Sequence, residues 1–208
     1  MKLRHIAMLT LPLVCSATFA ASTPWLVRGR VIDVVPYPSS GTLNLIGGQV
    51  NSISTRVVPE LDFSYFFTPN IAAELILATA RHSVAANGTT LGRVGLGSAN
   101  LLPPTITAQY HFMPGCKIDP YVGAGLNYTY FYNVSYGTVA TSVSYKNTFG
   151  PALQVGADYA IDDHWLINAD IKKIFIRPDV TVRTGLGTIR TNVHIDPLII
   201  GLGVGYRF

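Results

Sequence analysis

Side-chain catalysis needs a nucleophile beside a base that is itself held in orientation, and this chain offers one weak grouping of that kind. His111 is the best base, but nothing in the sequence brings Ser64 alongside it, and no Gly-x-Ser-x-Gly elbow occurs. His82 and His194 fall beside Gly-, Ser- and Thr-rich segments and read as solvated residues. Cys15 and Cys116 show no metal-ligand spacing. Gly123, Gly125, Gly201, Gly203 and Gly205 lack the strand-to-helix context of a phosphate loop. Spaced by two, they read as gaps that let bulky side chains fit opposite. The residues that do show order are charged. Arg28, Arg30, Arg56, Glu60, Asp62, Glu74, Asp158, Asp170 and Lys172 fall on one face of alternating segments, which is a pattern for ion pairing. The expectation is therefore no enzyme, no cofactor and no metal, and a set of walls that holds these charges in one narrow space.

The composition says what those walls are made of. The chain has 208 residues, 49% hydrophobic and 12% charged, about half the charged fraction of a soluble domain. That excludes a disordered chain and argues against an ordinary cytosolic enzyme. At this length one domain is expected. Lys2, Arg4 and His5 precede an apolar stretch over 6–14 and small residues over 16–21, the layout of a secretory signal ending at Ala20. Residues 1–20 are thus expected to be a cleaved signal peptide that includes Cys15, and 21–208 the mature domain. The formal net charge of +4 falls to +2 without Lys2 and Arg4, so the basic balance implies no nucleic-acid partner. After residue 22 every apolar run is broken by a charge or Gly, and no transmembrane helix is expected.

From Arg56 onward the period is two. Val57, Pro59, Leu61, Phe63, Tyr65 and Phe67 alternate with Arg56, Glu60, Asp62 and Ser64, giving a strand with one greasy and one charged face. The same split recurs in Leu102 to Phe112, Phe149 to Tyr159 and Trp165 to Ile176. Eight strands are expected, over 24–36, 56–67, 71–84, 102–112, 120–132, 149–159, 165–176 and 196–208, each long enough to span a bilayer when tilted. Short turns at 68–70, 113–119 and 161–164 alternate with long loops at 37–55, 85–101, 133–148 and 177–191, as in outer-membrane barrels. Aromatic residues gather near both strand ends: Trp25, Tyr110, Trp165 and Tyr206 on the short-turn side, Tyr128, Tyr130, Tyr132 and Phe149 on the other. A soluble lipocalin-like barrel or sandwich fails because the polar face has too few Lys and Glu to coat a soluble surface. The fold class is thus all-β, an eight-stranded antiparallel transmembrane β-barrel in the outer membrane.

Eight strands leave room inside for side chains or one small ligand. The nine charged residues named above, four cations and five anions, nearly cancel, and are expected to pair into a lumen plug; an ion filter would want a ring of one sign. Ile32, Val58 and Ile76 point inward toward the loop side and could line an apolar pocket. Pro59 removes a ladder donor, which makes the wall there a candidate lateral gate. Tyr206 and the C-terminal Phe208 form a candidate signal for the barrel assembly machinery.

Several stretches resemble the OmpW family of outer membrane proteins: 24–28 (PWLVR), 59–62 (PELD), 102–105 (LPPT) with 109–112 (QYHF), 120–128 (PYVGAGLNY), 160–165 (AIDDHW), 168–173 (NADIKK) and the terminal 195–208. The resemblance runs in order through nearly the whole mature chain. It implies an eight-stranded barrel and passage of small hydrophobic molecules across the outer membrane, with AlkL-like alkane importers as relatives. Expected partners are outer-membrane lipid, small hydrophobic solutes and the assembly machinery. The alternatives are a surface docking or adhesion barrel, for phage or bacteriocin, and an outer-membrane lipid-modifying enzyme.

Overall fold

The computed structural model describes residues 23–41, 43, 47–90, 92–137, 140–185 and 187–208; the expected signal peptide lies outside them. Among the described residues the regular elements are strands: β1 (Trp25–Val35), β2 (Ser39–Ser40), β3 (Gly47–Ile53), β4 (Arg56–Phe66), β5 (Ile71–Ala78), β6 (Ala80–Thr89), β7 (Gly92–Leu102), β8 (Thr105–His111), β9 (Ile118–Tyr136), β10 (Ala140–Tyr145), β11 (Thr148–Ala160), β12 (Trp165–Ile174), β13 (Asp179–Thr184), β14 (Gly187–His194) and β15 (Leu198–Arg207). Eight of them, β1, β4, β5, β8, β9, β11, β12 and β15, pair antiparallel in that order, and β15 returns to pair with β1. Closure leaves this wall without a free edge, the condition for strands to cross a bilayer. No helix among the described residues is long and apolar enough to cross.

The register decides what faces where. Val27, Gly29 and Val31 point outward, while Arg28 and Arg30 point into the lumen opposite Asp62 and Glu60 of β4. Outward residues stay open although apolar: Leu126 is 66% exposed and Leu202 63%. Such a wall suits a lipid solvent. Inside, the long side chains fit because small residues face them. A Cβ on Gly203 would lie 2.1 Å from the Gly29 carbonyl oxygen and 2.7 Å from Arg30 Cα, and one on Gly156 would lie 2.5 Å from the Tyr121 ring.

The segments expected as long loops are largely strands. β2, β3, β6, β7, β10, β13 and β14 extend the wall beyond the eight-stranded girdle as paired hairpins. Their alternation runs with the opposite sense. In the lower wall apolar residues face out; in these hairpins Val50, Val94, Val182 and Ile189 face in and are buried, while Arg93, Arg183 and Arg190 face out. Outward side chains there meet water, so the usual soluble rule returns. Several strands break where the sense changes, at Thr79 and at Pro103, Pro104, Pro178 and Pro197, where Pro cannot donate to a ladder, whereas β9 runs through unbroken.

Candidate functional site

Two compartments are stacked in the lumen. The lower one is an ion-paired floor. β1 supplies Arg28 and Arg30 at alternate inward positions. Arg28 Nη2 reaches Asp158 Oδ2 at 2.6 Å and Nη1 reaches Glu74 Oε1 at 3.1 Å. Arg30 Nε lies 2.7 Å from Asp62 Oδ2 and 3.0 Å from Glu60 Oε1, and its Nη2 lies 3.2 Å from Glu74 Oε1. Lys172 of β12 pairs with Glu60 and with Asp170. These eight residues come from five strands and all are buried. Desolvated charges persist in such a space only when paired and hydrogen-bonded. The bonding is extended by neutral residues whose types carry no charge signal in the sequence, while Asp62 Oδ1 stays without a hydrogen-bond partner among the described residues. Gln154 Nε2 donates to Glu74 and to Asp170, both at 2.8 Å, the Tyr121 hydroxyl donates to Asp170 at 3.1 Å, and Asn168 donates to Asp158 at 2.8 Å. Their inward parity was the available signal.

Arg56 is a correction: it is exposed and does not join the floor. Its Nε donates to the Arg81 carbonyl at 2.9 Å. Arg56 lies four residues above Glu60 on β4, ~13 Å at the rise of a strand, beyond the reach of its side chain. The floor therefore holds three cations against five carboxylates rather than four against five.

His111 and Ser64 are both absorbed locally. His111 Nδ1 is 2.8 Å from Asp119 Oδ2 and Nε2 is 3.3 Å from Gln109 Oε1, while Ser64 Oγ accepts from Arg28 at 2.7 Å.

Above the floor is an apolar tunnel of about 80 Å³, room for several water-sized groups. Ile32, Val58 and Ile76 line its lower part, above Glu60 and Lys172; Val34, Val50, Phe131, Val182 and Ile189 line it higher up. Phe131 and Tyr145 stack at 5.1 Å between ring centroids, and burial pushes the Tyr145 phenol up to about 12, so it stays neutral. Of the upper lining, Val34 and Phe131 belong to β1 and β9, whereas Val50, Val182 and Ile189 come from the hairpins, whose segments read as loops in the sequence.

Pro59 faces outward and is exposed. It marks a seam. The β4–β5 ladder begins at Glu60 opposite Ala78, and the β3–β6 ladder ends at Ile53 opposite Val84, with Ser54 N donating to the Ser83 carbonyl at 3.1 Å. Residues 55–59 have no partner in either ladder on that side. Three side-chain contacts among the described residues bridge the interval: the Arg56 bond to Arg81, His82 Nδ1 at 2.6 Å from the Ser54 carbonyl oxygen, and Ser54 Oγ accepting from Ser83 N at 3.0 Å. Val58, Ala80 and His82 border both the seam and the tunnel. At the opposite end, the rings of Trp165, Tyr206 and Phe208 meet edge to face at 5.0 and 4.9 Å, and the Phe208 carbonyl oxygen accepts from Thr23 N at 3.0 Å.

The model of the OmpW family matches residues 22–208. Among curated proteins, the uncharacterized outer-membrane protein y4mB of Sinorhizobium fredii is 46% identical over 97% of this chain and 89% of that protein. Outer membrane protein AlkL of Ectopseudomonas oleovorans is 31% identical, covering 88% of this chain and 82% of its own length. The crystal structure of the outer membrane protein OprG from Pseudomonas aeruginosa superposes with a TM-score of 0.82 at 27% identity, over 88% of this chain and 95% of that one.

Proposed function

The chain belongs to the OmpW family of outer-membrane barrels, and from that premise we propose that it is a channel for small hydrophobic molecules. Solute enters the tunnel from the extracellular side and leaves sideways into the membrane through the seam beside Pro59. The observation that carries this reading is an apolar tunnel closed below by ion pairs and bordered by wall residues that have ladder partners on β1 but none on their other side. A desolvated floor of charges stops ions and sugars, whereas a hydrocarbon loses nothing by turning toward lipid. The paired floor acts as a plug, with Ile32, Val58 and Ile76 as the apolar surface that hands solute to the seam. The C-terminal Tyr206 and Phe208 serve recognition by the barrel assembly machinery.

A solute panel in proteoliposomes tests the channel. Flux of a long-chain alkane and a small aromatic is expected with little ionic conductance; large conductance without apolar flux overturns the proposal. Pro59→Ala restores a ladder N–H and should slow lateral exit severalfold, and unchanged alkane uptake would remove the seam from the route.

A further inference from the structure

The charges are sorted along the barrel axis. Residues 37–59, 79–118 and 120–157 contain no Asp or Glu, and 171–195 contain only Asp179. The same stretches carry Arg56, Arg81, Arg93, Lys146, Arg183 and Arg190, all exposed at the extracellular end. Nothing inside the protein asks for this excess, since the lumen is lined there by apolar side chains.

The cations are held in place. Arg81 Nη2 donates to Ser98 Oγ at 2.8 Å and to Ser135 Oγ at 3.1 Å, and the Arg56 bond to the Arg81 carbonyl keeps the second arginine beside it. Both stand just above Val57, which is 67% exposed on the lipid-facing wall. On the other side of the barrel, Lys146 and Arg190 flank a shallow hollow with Ser144, Thr181 and Asn192. Asp179 is also there, its Oδ1 accepting from Asn192 at 3.2 Å. Immediately below this belt, the exposed Tyr130 and Phe149 mark where rings meet headgroups. Cations one step beyond an aromatic girdle stand at the level of lipid phosphates, and a guanidinium fork matches two phosphate oxygens.

We propose that this extracellular collar binds the phosphate groups of lipopolysaccharide, the anionic lipid of the outer leaflet, with Arg56 and Arg81 as one clamp and Lys146, Arg183 and Arg190 as the other. Continuity with the lipid-facing wall selects a lipid over a soluble polyanion: acyl chains lie along Val57 and its neighbours while the phosphates meet the collar. The proposal is independent of what passes through the tunnel.

The test uses the full mature chain in detergent, titrated with bisphosphorylated lipid A and with the same lipid stripped of phosphate, reading affinity by isothermal titration calorimetry. The phosphorylated lipid is expected to bind at least about tenfold more tightly, with the difference shrinking as salt rises. R56Q/R81Q combined with K146Q/R183Q/R190Q should abolish the difference while keeping the heat-modifiable mobility of a folded barrel. Equal affinity for the two lipids overturns the proposal, and that comparison on the wild-type chain decides even where the variant fails to assemble. Equally tight binding of a soluble anionic polysaccharide in competition would overturn the assignment to lipid.

Discussion

At the residue scale, the contrast between Arg28 and Arg56 is the sharpest test of the lumen. Both are inward-parity arginines in neighbouring strands, but Arg28 is fully buried between Asp158 and Glu74, whereas Arg56 is exposed on a carbonyl. Arg28→Met leaves two carboxylates buried without their cation and is expected to cost about 3–5 kcal/mol of barrel stability. Arg56→Gln loses an exposed contact and should stay within about 0.5 kcal/mol. Urea midpoints followed by the loss of heat-modifiable mobility in lipid vesicles measure both; equal losses would contradict the geometry. Sequence parity could not separate the two residues, because it reports the face a side chain leaves from and not the height at which its partners wait. The neutral members of the network, Gln154, Asn168 and Tyr121, were hidden for a related reason: their types carry no charge signal, and only convergence from different strands makes them partners.

At the element scale, the lower strands were legible and the upper hairpins were not. Lipid outside makes the eight lower segments alternate with a strong, uniform contrast, as in Ile167, Ala169 and Ile171 against Asn168, Asp170 and Lys172. In the hairpins the sense of alternation reverses, and register shifts between Val50 and Ser52, Val84 and Ala85, Ser98 and Asn100, and Ala140 and Ser142 break the period. Gly, Ser and Thr there read as loop composition, although they pair as strands. The short turns follow local rules throughout. Between β11 and β12, Asp162 Oδ1 accepts from Trp165 N at 2.7 Å and His164 N at 2.9 Å, an Asx-type turn. Those two backbone donors hold its carboxyl below the usual carboxylate range. A carboxyl whose folded pKa is depressed stabilises the fold above its unfolded value and loses that contribution as pH falls through the folded one. Asp162→Asn is therefore expected to lower the unfolding midpoint at neutral pH and to converge with wild type in acid; a difference that persists at low pH would mean the turn does not depend on the charge.

At the scale of the whole molecule, closure joins the last strand to the first, and the chain terminus takes part in it. Arg207 N donates to the His164 carbonyl at 2.8 Å and Phe208 N to that of Trp25 at 3.2 Å. Deleting Phe208 should leave a chain that is made but poorly assembled, read as a reduced folded fraction in outer-membrane preparations; the same deletion should cost far less when the purified chain is refolded without machinery. Normal assembly in cells would withdraw the recognition role. The sequence by itself determined the membrane class, the eight crossing strands and the face each residue leaves from, because a lipid solvent imposes a period of two that survives without any knowledge of neighbours. Only the tertiary structure decided that three cations rather than four meet the five carboxylates, that the Gly-rich segments build an apolar tunnel above them, and that residues 55–59 border a seam. Those are relations between strands at a common height, and height along the barrel is set by register and closure, which no single strand encodes.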